Sequence, residues 1–329
     1  MSIITNFTSS LNSINEDSFV DIALQLFRHQ AEHNPVYRKY IGARGIDVAK
    51  VTSLEQIPFL PISFFKTHTI ITGTWNPEVE FSSSGTTGLI TSRHAVKSLP
   101  FYLNNAEAIF NQFFGSIQDY HILALLPSYL EREGSSLIVM IDHFIKKSKS
   151  EHSGFYLYNQ QELIQKLELL RSSKKKVILW GVSFALLDLA EKFKLDLSHC
   201  IIVETGGMKG RRREIIREEL HAYLCDRFNV QQIASEYGMT ELLSQAYSKG
   251  KGIYNLPKWM KVMVRDINDP TQILGIDKIG CLNVIDLANA HSCAFIETHD
   301  LARIRQNGYF EVLGRMDNSD LRGCNLLVG

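Results

Sequence analysis

Residues 177–204 read VILWGVSFALLDLAEKFKLDLSHCIIVE, and this stretch decides the architecture. Residues 177–180 are apolar and strand-like, 183–193 place apolar side chains at helical spacing, and 200–204 return to a strand-like apolar run. Strand, helix and strand in that order predict parallel strands with the helix on a face of the sheet. The alternation extends outward. Upstream, the lysines of 174–176 read as a solvated turn, 160–171 as a helix, 134–145 as a buried helix, 121–126 as a strand and 101–114 as a helix. Downstream come a helix over 211–224 and strand-like 230–233. The chain is therefore expected to be α/β, a largely parallel sheet with helices on both faces.

The two ends differ from this centre. Phe19, Ile22, Ala23, Leu26 and Phe27 follow helical spacing behind Asp17 or Ser18 as N-cap, which predicts an amphipathic helix to His33, stopped by Asn34-Pro35. Pro58 and Pro61 then punctuate an apolar loop or edge segment ending in Phe64-Phe65-Lys66. Late in the chain, strand candidates at 262–266, 281–286, 294–297, 302–305 and 309–313 are separated by turn signals such as Asp269-Pro270 and Asn307-Gly308. Two portions are expected, an α/β portion over 1–255 and a β-rich portion over 256–329.

Composition narrows the class. With 329 residues, 45% hydrophobic and 21% charged, the chain is globular and neither collagen-like nor disordered. Lys plus Arg equals Asp plus Glu at 35 each, so the zero net charge leaves no footprint for nucleic acid or an anionic membrane. Five scattered cysteines (Cys200, Cys225, Cys281, Cys293, Cys324) without a CxxC pair argue against a disulfide framework or a zinc ribbon. No signal peptide and no apolar run of about 18 residues is present, so a cytoplasmic protein without a membrane span is expected.

Five segments can carry chemistry. Ser82-Ser83-Ser84-Gly85-Thr86-Thr87-Gly88 follows a predicted strand, and its hydroxyls and amides can turn toward a triphosphate. It is not a Walker A loop, and a flexible surface turn is the plainer reading. In Ser235-Glu236-Tyr237-Gly238-Met239-Thr240-Glu241, Tyr237 can stack on a base and Gly238 permits close approach. Thr240 can reach a phosphate there and Glu241 can hold Mg²⁺ through oxygen, against a plain strand-to-helix turn. Gly206-Gly207 follow a strand end, where open parallel sheets bind ligands, or simply make a tight turn. Asp300 in Thr298-His299-Asp300-Leu301 can accept ribose hydroxyls, and Arg315 in Gly314-Arg315-Met316-Asp317 can face a phosphate or ribose. His94 and His121 are candidate general bases or packed histidines, and Cys200 and Cys293 are expected in the core.

Taken together and in this order, the segments resemble the adenylate-forming superfamily of acyl-activating enzymes. SSSGTTG at 82–88 is similar to its phosphate loop, YGMTE at 237–241 to its adenine and Mg²⁺ motif, and Gly206-Gly207 to its adenine-side turn. THDL at 298–301 resembles its ribose-binding segment and GRMD at 314–317 its hinge motif. Within the superfamily, Leu60-Pro-Ile-Ser-Phe-Phe-Lys66 and the ending Gly314-Arg-Met-Asp-Asn-Ser-Asp-Leu-Arg-Gly-Cys324 resemble the acyl-protein synthetase (LuxE) family. The resemblance implies the fold of the large N-terminal domain of adenylate-forming enzymes, with the mobile C-terminal lysine domain expected to be absent. It implies ATP and Mg²⁺ as cofactors, a fatty acid as substrate, Cys324 as acyl carrier and a LuxC-like acyl reductase as partner.

The phosphate loop departs from the family in lacking a lysine after its last glycine, and Arg93 or Lys97 is the available cation. Arg322 can lower the pKa of the Cys324 thiol. The apolar residues 122–126, with Pro127 and Tyr129, line an acyl tunnel or belong to the core. Two rivals stand beside this reading: an acyl-CoA ligase of the phenylacetate–CoA ligase type, and a non-catalytic nucleotide- or acyl-adenylate-binding subunit.

Overall fold

The structure is a computed structural model that describes residues 11–83, 90–127, 134–206 and 215–316. Contacts divide the chain into two units, a discontinuous one formed by Met1–Thr74 with Lys258–Gly329 and a central one formed by Trp75–Pro257.

The discontinuous unit begins with helices α1 (Glu16–His33) and α2 (Pro35–Ala43), the short strand β1 (Leu60–Pro61) and the one-turn helix α3 (Phe64–Thr67). The N-cap of α1 is Asn15, ahead of the expected Asp17 or Ser18. Its side chain accepts from the Ser18 amide at 3.0 Å while Ser18 Oγ accepts from the Asn15 amide at 3.1 Å, which satisfies two end donors reciprocally. Asn34 ends α1 and caps α2, accepting from the Tyr37 amide.

The central unit runs β2 (Val79–Ser82), β3 (Arg93–Val96), α4 (Leu99–Phe114), β4 (Tyr120–Leu125), α5 (Ser136–Ser148), β5 (Gly154–Phe155) and α6 (Gln160–Leu169). It continues with β6 (Lys176–Val182), α7 (Ser183–Lys192), β7 (Cys200–Thr205), α8 (Arg217–Phe228), β8 (Ala234–Tyr237), β9 (Ala246–Ser248) and β10 (Ile253–Tyr254). Its main sheet has the order β5-β4-β6-β7-β8-β9, parallel throughout except for antiparallel β9, while β2 and β3 form a separate hairpin. Successive residues of β6 show both faces covered. The Trp180 ring lies near Phe110 of α4 and Phe144 of α5. Gly181, pointing the other way, meets Leu186 of α7, where a Cβ would approach its Cγ to 2.7 Å. The parallel α/β expectation from 177–204 holds.

The chain then returns to the discontinuous unit with β11 (Met260–Arg265), β12 (Ile273–Leu274), β13 (Ile279–Asp286), β14 (Phe295–Ile304) and β15 (Phe310–Arg315). These form an antiparallel sheet in the order β15-β14-β13-β11-β12. Strand β1 joins it parallel to β14, with Leu60 opposite Ile296. The segments 294–297 and 302–305, expected as two strands, are parts of the single strand β14. Between the pairs Cys281–Leu301 and Asn283–Glu297 the polar residues 298–300 form a bulge against β13, so both segments stay within one strand.

The expected grouping of 1–255 differs from the observed one, because the first 74 residues associate with the C-terminal sheet. Buried amides explain this. Gln30 is fully buried in α1; its Nε2 donates to the carbonyls of Asn289 (3.0 Å) and Ala290 (3.1 Å), and its Oε1 accepts from the Ala294 amide at 2.9 Å. Asn34 Nδ2 and Thr72 Oγ1 both donate to the Ser292 carbonyl. Phe27, Tyr37 and Phe59 close the same seam around the Phe295 ring. Among the described residues no helix is long and apolar enough to cross a membrane.

Candidate functional site

In the central unit the β2–β3 hairpin presents the hydroxyl-rich loop. Opposite pairs Phe81–His94 and Ser82–Arg93 bring the chain to its base. There the Ser83 amide donates to the Ser92 carbonyl and the Ser92 amide to Ser83 Oγ, each at 3.0 Å. The Ser83 hydroxyl therefore closes the loop as an acceptor. The Ser82 amide donates to the Gly134 carbonyl at 2.8 Å, and Gly134 at φ +76° leaves Ser82 Oγ the space a Cβ would crowd at 3.0 Å. Ser84, Gly85, Thr86, Thr87 and Gly88 lie outside the described residues. Arg93 and Lys97, the candidate cations, are both exposed, and Arg93 Nε lies 3.8 Å from Glu80.

The carboxyl ends of β7 and β8 carry a second group of side chains. Thr205 Oγ1 donates to the carboxylate of Glu236 across the parallel pair that joins these strands. Glu204 accepts from Ser183 Oγ at 2.8 Å and lies 3.4 Å from Arg217 Nε and 3.5 Å from His221 Nε2. Burial alone would raise the Glu204 carboxyl; His221, Arg217 and Ser183 together hold it below its ordinary value. Residue Gly206 takes φ +70°, as expected of a turn glycine, and its carbonyl lies 2.8 Å from Ser183 Oγ. Gly207 lies outside the described residues. Neither Glu204 nor Glu236 was singled out as a site residue by sequence reading; a carboxylate in the last residues of an otherwise buried strand was the available signal.

The turn after β8 holds the remaining candidates of this unit. Tyr237 is 8% exposed and meets Tyr254 edge-on at 6.0 Å. The Arg217 guanidinium lies over the Tyr254 ring at 5.4 Å. At Gly238 a Cβ would meet Glu236 Oε1, the end of a side chain that would have to shift. Met239 accepts from the Leu242 amide at 3.1 Å, and Thr240 and Glu241 sit within that turn, Glu241 only 5% exposed. His94 Nδ1 lies 2.8 Å from the Thr240 carbonyl, and Asn105 Nδ2 of α4 donates to the Leu243 carbonyl at 2.8 Å. Burial lowers the His94 pKa to about 4, against the raising effect of the bond to Thr240, so the ring is neutral near pH 7. His121 stands at the amino end of β4, both ring nitrogens held by Ser150 and Ser173 hydroxyls.

Among the described residues no three His, Cys, Asp or Glu side chains cluster to hold a metal ion. A Mg²⁺ ion that arrives on phosphates keeps most of its ligands from them and from water, so a single protein carboxylate, such as that of Glu241, would be enough to hold it.

In the discontinuous unit, Asp300 and Arg315 are cross-strand partners of β14 and β15, with Arg315 Nε 3.1 Å from Asp300 Oδ1. The carboxylate is buried and the guanidinium exposed. Thr298 Oγ1 donates to the Leu282 carbonyl and accepts from the Asp300 amide, which fixes the backbone before that pair. Sequence reading named both residues without pairing them. Cys293 is in the core as expected, Cys200 is only partly buried, and burial pushes each thiol up to about 12. Burial also raises the thiols of Cys225 and Cys281. Asp317, Arg322, Cys324 and Tyr129 lie outside the described residues.

No family model matches the sequence. A 70-residue stretch, 21% of this chain, is 40% identical to a long-chain-fatty-acid–luciferin-component ligase of Photorhabdus luminescens, and spans 59% of that protein. The fold is similar to 2-hydroxyisobutyryl-CoA ligase in an open conformation with 2-HIB-AMP and CoA. That match has a TM-score of 0.66 and 12% identity over 94% of this chain and 78% of the other. It is similar also to ATP-bound MatB from Rhodopseudomonas palustris, at TM-score 0.53 and 17% identity, over 72% of this chain and 47% of that one. These likenesses bear out the resemblance and the fold class read from the sequence. The chain has the fold of the adenylate-forming enzymes and is similar in part of its sequence to a LuxE-type ligase.

Proposed function

We propose that this protein uses ATP to activate a carboxylic acid, a long-chain fatty acid in the first instance, as an acyl-adenylate. It then passes the acyl group to a cysteine thiol for delivery to a LuxC-like acyl reductase. The observation that carries the reading is the 2.8 Å approach of His94 to the Thr240 carbonyl, since it sets the hairpin of the hydroxyl-rich loop beside the turn of Thr240 and Glu241. The partial likeness to a ligase named for long-chain fatty acids supports the substrate class.

In this reading the amides and hydroxyls of 82–88 hold the outer phosphates. Tyr237, Gly238 and Met239, with Gly206 and Gly207, take the adenine, and Thr240 takes the α-phosphate. Glu241 holds Mg²⁺, which when bound offsets phosphate charge. Asp300 is assigned to the ribose hydroxyls, with Arg315 as its partner. A carboxylate oxygen of the acid bonds to the α-phosphorus as the bond to the bridging oxygen breaks and pyrophosphate leaves. Positioning and charge neutralisation supply most of the rate. A thiolate sulfur then attacks the acyl carbon and AMP departs. Cys324 is assigned as that thiol and Arg322 as its nearby cation; the raised thiols of Cys200, Cys225, Cys281 and Cys293 suit the role poorly.

Intact-mass measurement after incubation with ATP, Mg²⁺ and a panel of fatty acids tests this. The expected result is a mass gain equal to the acyl group, removed by neutral hydroxylamine and lost in Cys324→Ser. Pyrophosphate release that appears only with coenzyme A would replace the protein acceptor by a CoA ligase. No adduct and no ATP–pyrophosphate exchange with any acid would overturn the proposal.

A further inference from the structure

We propose that His94 is a positioning residue for adenylation, its imidazole Nδ1–H holding the Thr240 carbonyl so that the turn of Thr240 and Glu241 keeps one place beside the phosphate-loop hairpin. This rests on the function proposed above and gives His94, whose contact supports that reading, a role of its own in the reaction. His94 occupies a β3 position opposite Phe81, next to the pair that opens the loop, and is 1% exposed. A buried imidazole is a costly way to fill a packed position. What imidazole adds is a donor at the δ position. A carbonyl only accepts, so at 2.8 Å the proton resides on Nδ1.

The bond reaches across 146 positions of sequence. A planar trans peptide points its N–H opposite its C=O, so fixing the Thr240 oxygen also fixes the direction of the Glu241 amide. Asn105 does the same from α4, donating to the Leu243 carbonyl at 2.8 Å and lying 3.2 Å from Ser244 Oγ. Glu241 thus stands between two backbone carbonyls, each held by a buried side-chain donor from a different element. Such supports keep a site within the tolerance that catalysis requires.

Three variants test the proposal. Asn puts an amide donor where His94 has Nδ1, Gln moves the donor away, and Leu removes it. Each is followed by thermal melting, by calorimetric affinity for a non-hydrolysable MgATP analogue, and by ATP–pyrophosphate exchange. His94→Asn is expected to keep exchange within about 3-fold, whereas His94→Gln and His94→Leu lose about 10–100-fold in kcat, the cost of a misplaced site. Analogue affinity should weaken in the same order, independently of melting temperature. Wild-type exchange and affinity in a folded Gln or Leu variant overturns the proposal. So does a folded Asn variant that falls as far as Leu. If Gln and Leu fail to fold, Asn alone decides: exchange within about 3-fold supports the role and a loss beyond about 10-fold overturns it. Absence of exchange in the wild type would instead remove the function itself, and this inference with it.

Discussion

In the central unit, buried polar side chains gather at the carboxyl ends of the strands and on the turn that follows β8. Ser183, Glu204, Glu236 and Glu241 lie there, and His94 reaches that turn from β3. In the discontinuous unit the fully buried amides of Gln30 and Asn34 both donate to backbone carbonyls within 289–292, and Gln30 also accepts from the Ala294 amide. The first group is rich in titratable side chains and surrounds the candidate chemistry. The second is uncharged and fastens two distant pieces of chain. Buried polar groups thus gather around candidate chemistry in the central unit and along a seam in the discontinuous one, and their partners differ. In the seam the buried amides meet only uncharged backbone and hydroxyl groups, whereas near the candidate site the carboxylates of Glu204 and Glu236 are held by hydroxyls.

The sharpest test of the contrast is Glu241→Gln. Loss of the charge should cut ATP–pyrophosphate exchange by about 10²–10³-fold, the scale of a lost transition-state contact, with the melting temperature nearly unchanged. Gln30→Leu should do the reverse. Stranding the backbone groups of Asn289, Ala290 and Ala294 costs on the order of 3 kcal/mol, read as a lower denaturation midpoint, while exchange per folded molecule stays at wild type. If Gln30→Leu instead lost exchange without lost stability, the division into site and seam would fail.

Acid sharpens the comparison further, because amides do not titrate and His94 does. Its folded pKa of about 4 lies below the unfolded 6.5, so the unfolded chain binds more protons between those values and stability falls as pH falls. From pH 7 to pH 5 the loss attributable to this group is about 2 kcal/mol. Denaturation midpoints of wild type and His94→Asn over that range should converge on acidification; parallel curves would show that His94 is not the titrating group. The smallest effect expected is at Gly238. An added methyl meets only the end of the flexible Glu236 side chain, so Gly238→Ala should cost under about 1 kcal/mol of stability and about 10-fold in exchange.

Local pattern carried the parts of the fold that depend on near neighbours. The β6–α7–β7 passage was legible because periods of 3.6 and 2 are written into consecutive residues. The allegiance of the N-terminal helices was not, since it depends on what Gln30 meets 264 positions away. Residues 298–300 look like a break because they are polar, yet a bulge against β13 keeps them inside β14. In the site, Tyr237, Thr240, Glu241, Asp300 and Arg315 could be named from their motifs. The supports Glu204, Glu236 and Asn105 could not, and His94 was open between base and core. A histidine's role is set by the group its nitrogen finds, here a carbonyl on a distant turn.

The parallel pairing of β1 with β14 also has a consequence in time. On a ribosome adding about 5–20 residues per second, Gln30 would wait roughly 10–50 s for Ala294 to be made. Through that interval the Phe19, Leu26 and Phe27 face of α1 has no sheet to cover it, while the central unit can already close its own. The newborn chain would thus present one folded half and one sticky segment, and its yield would depend on whatever shields that segment until synthesis passes β14.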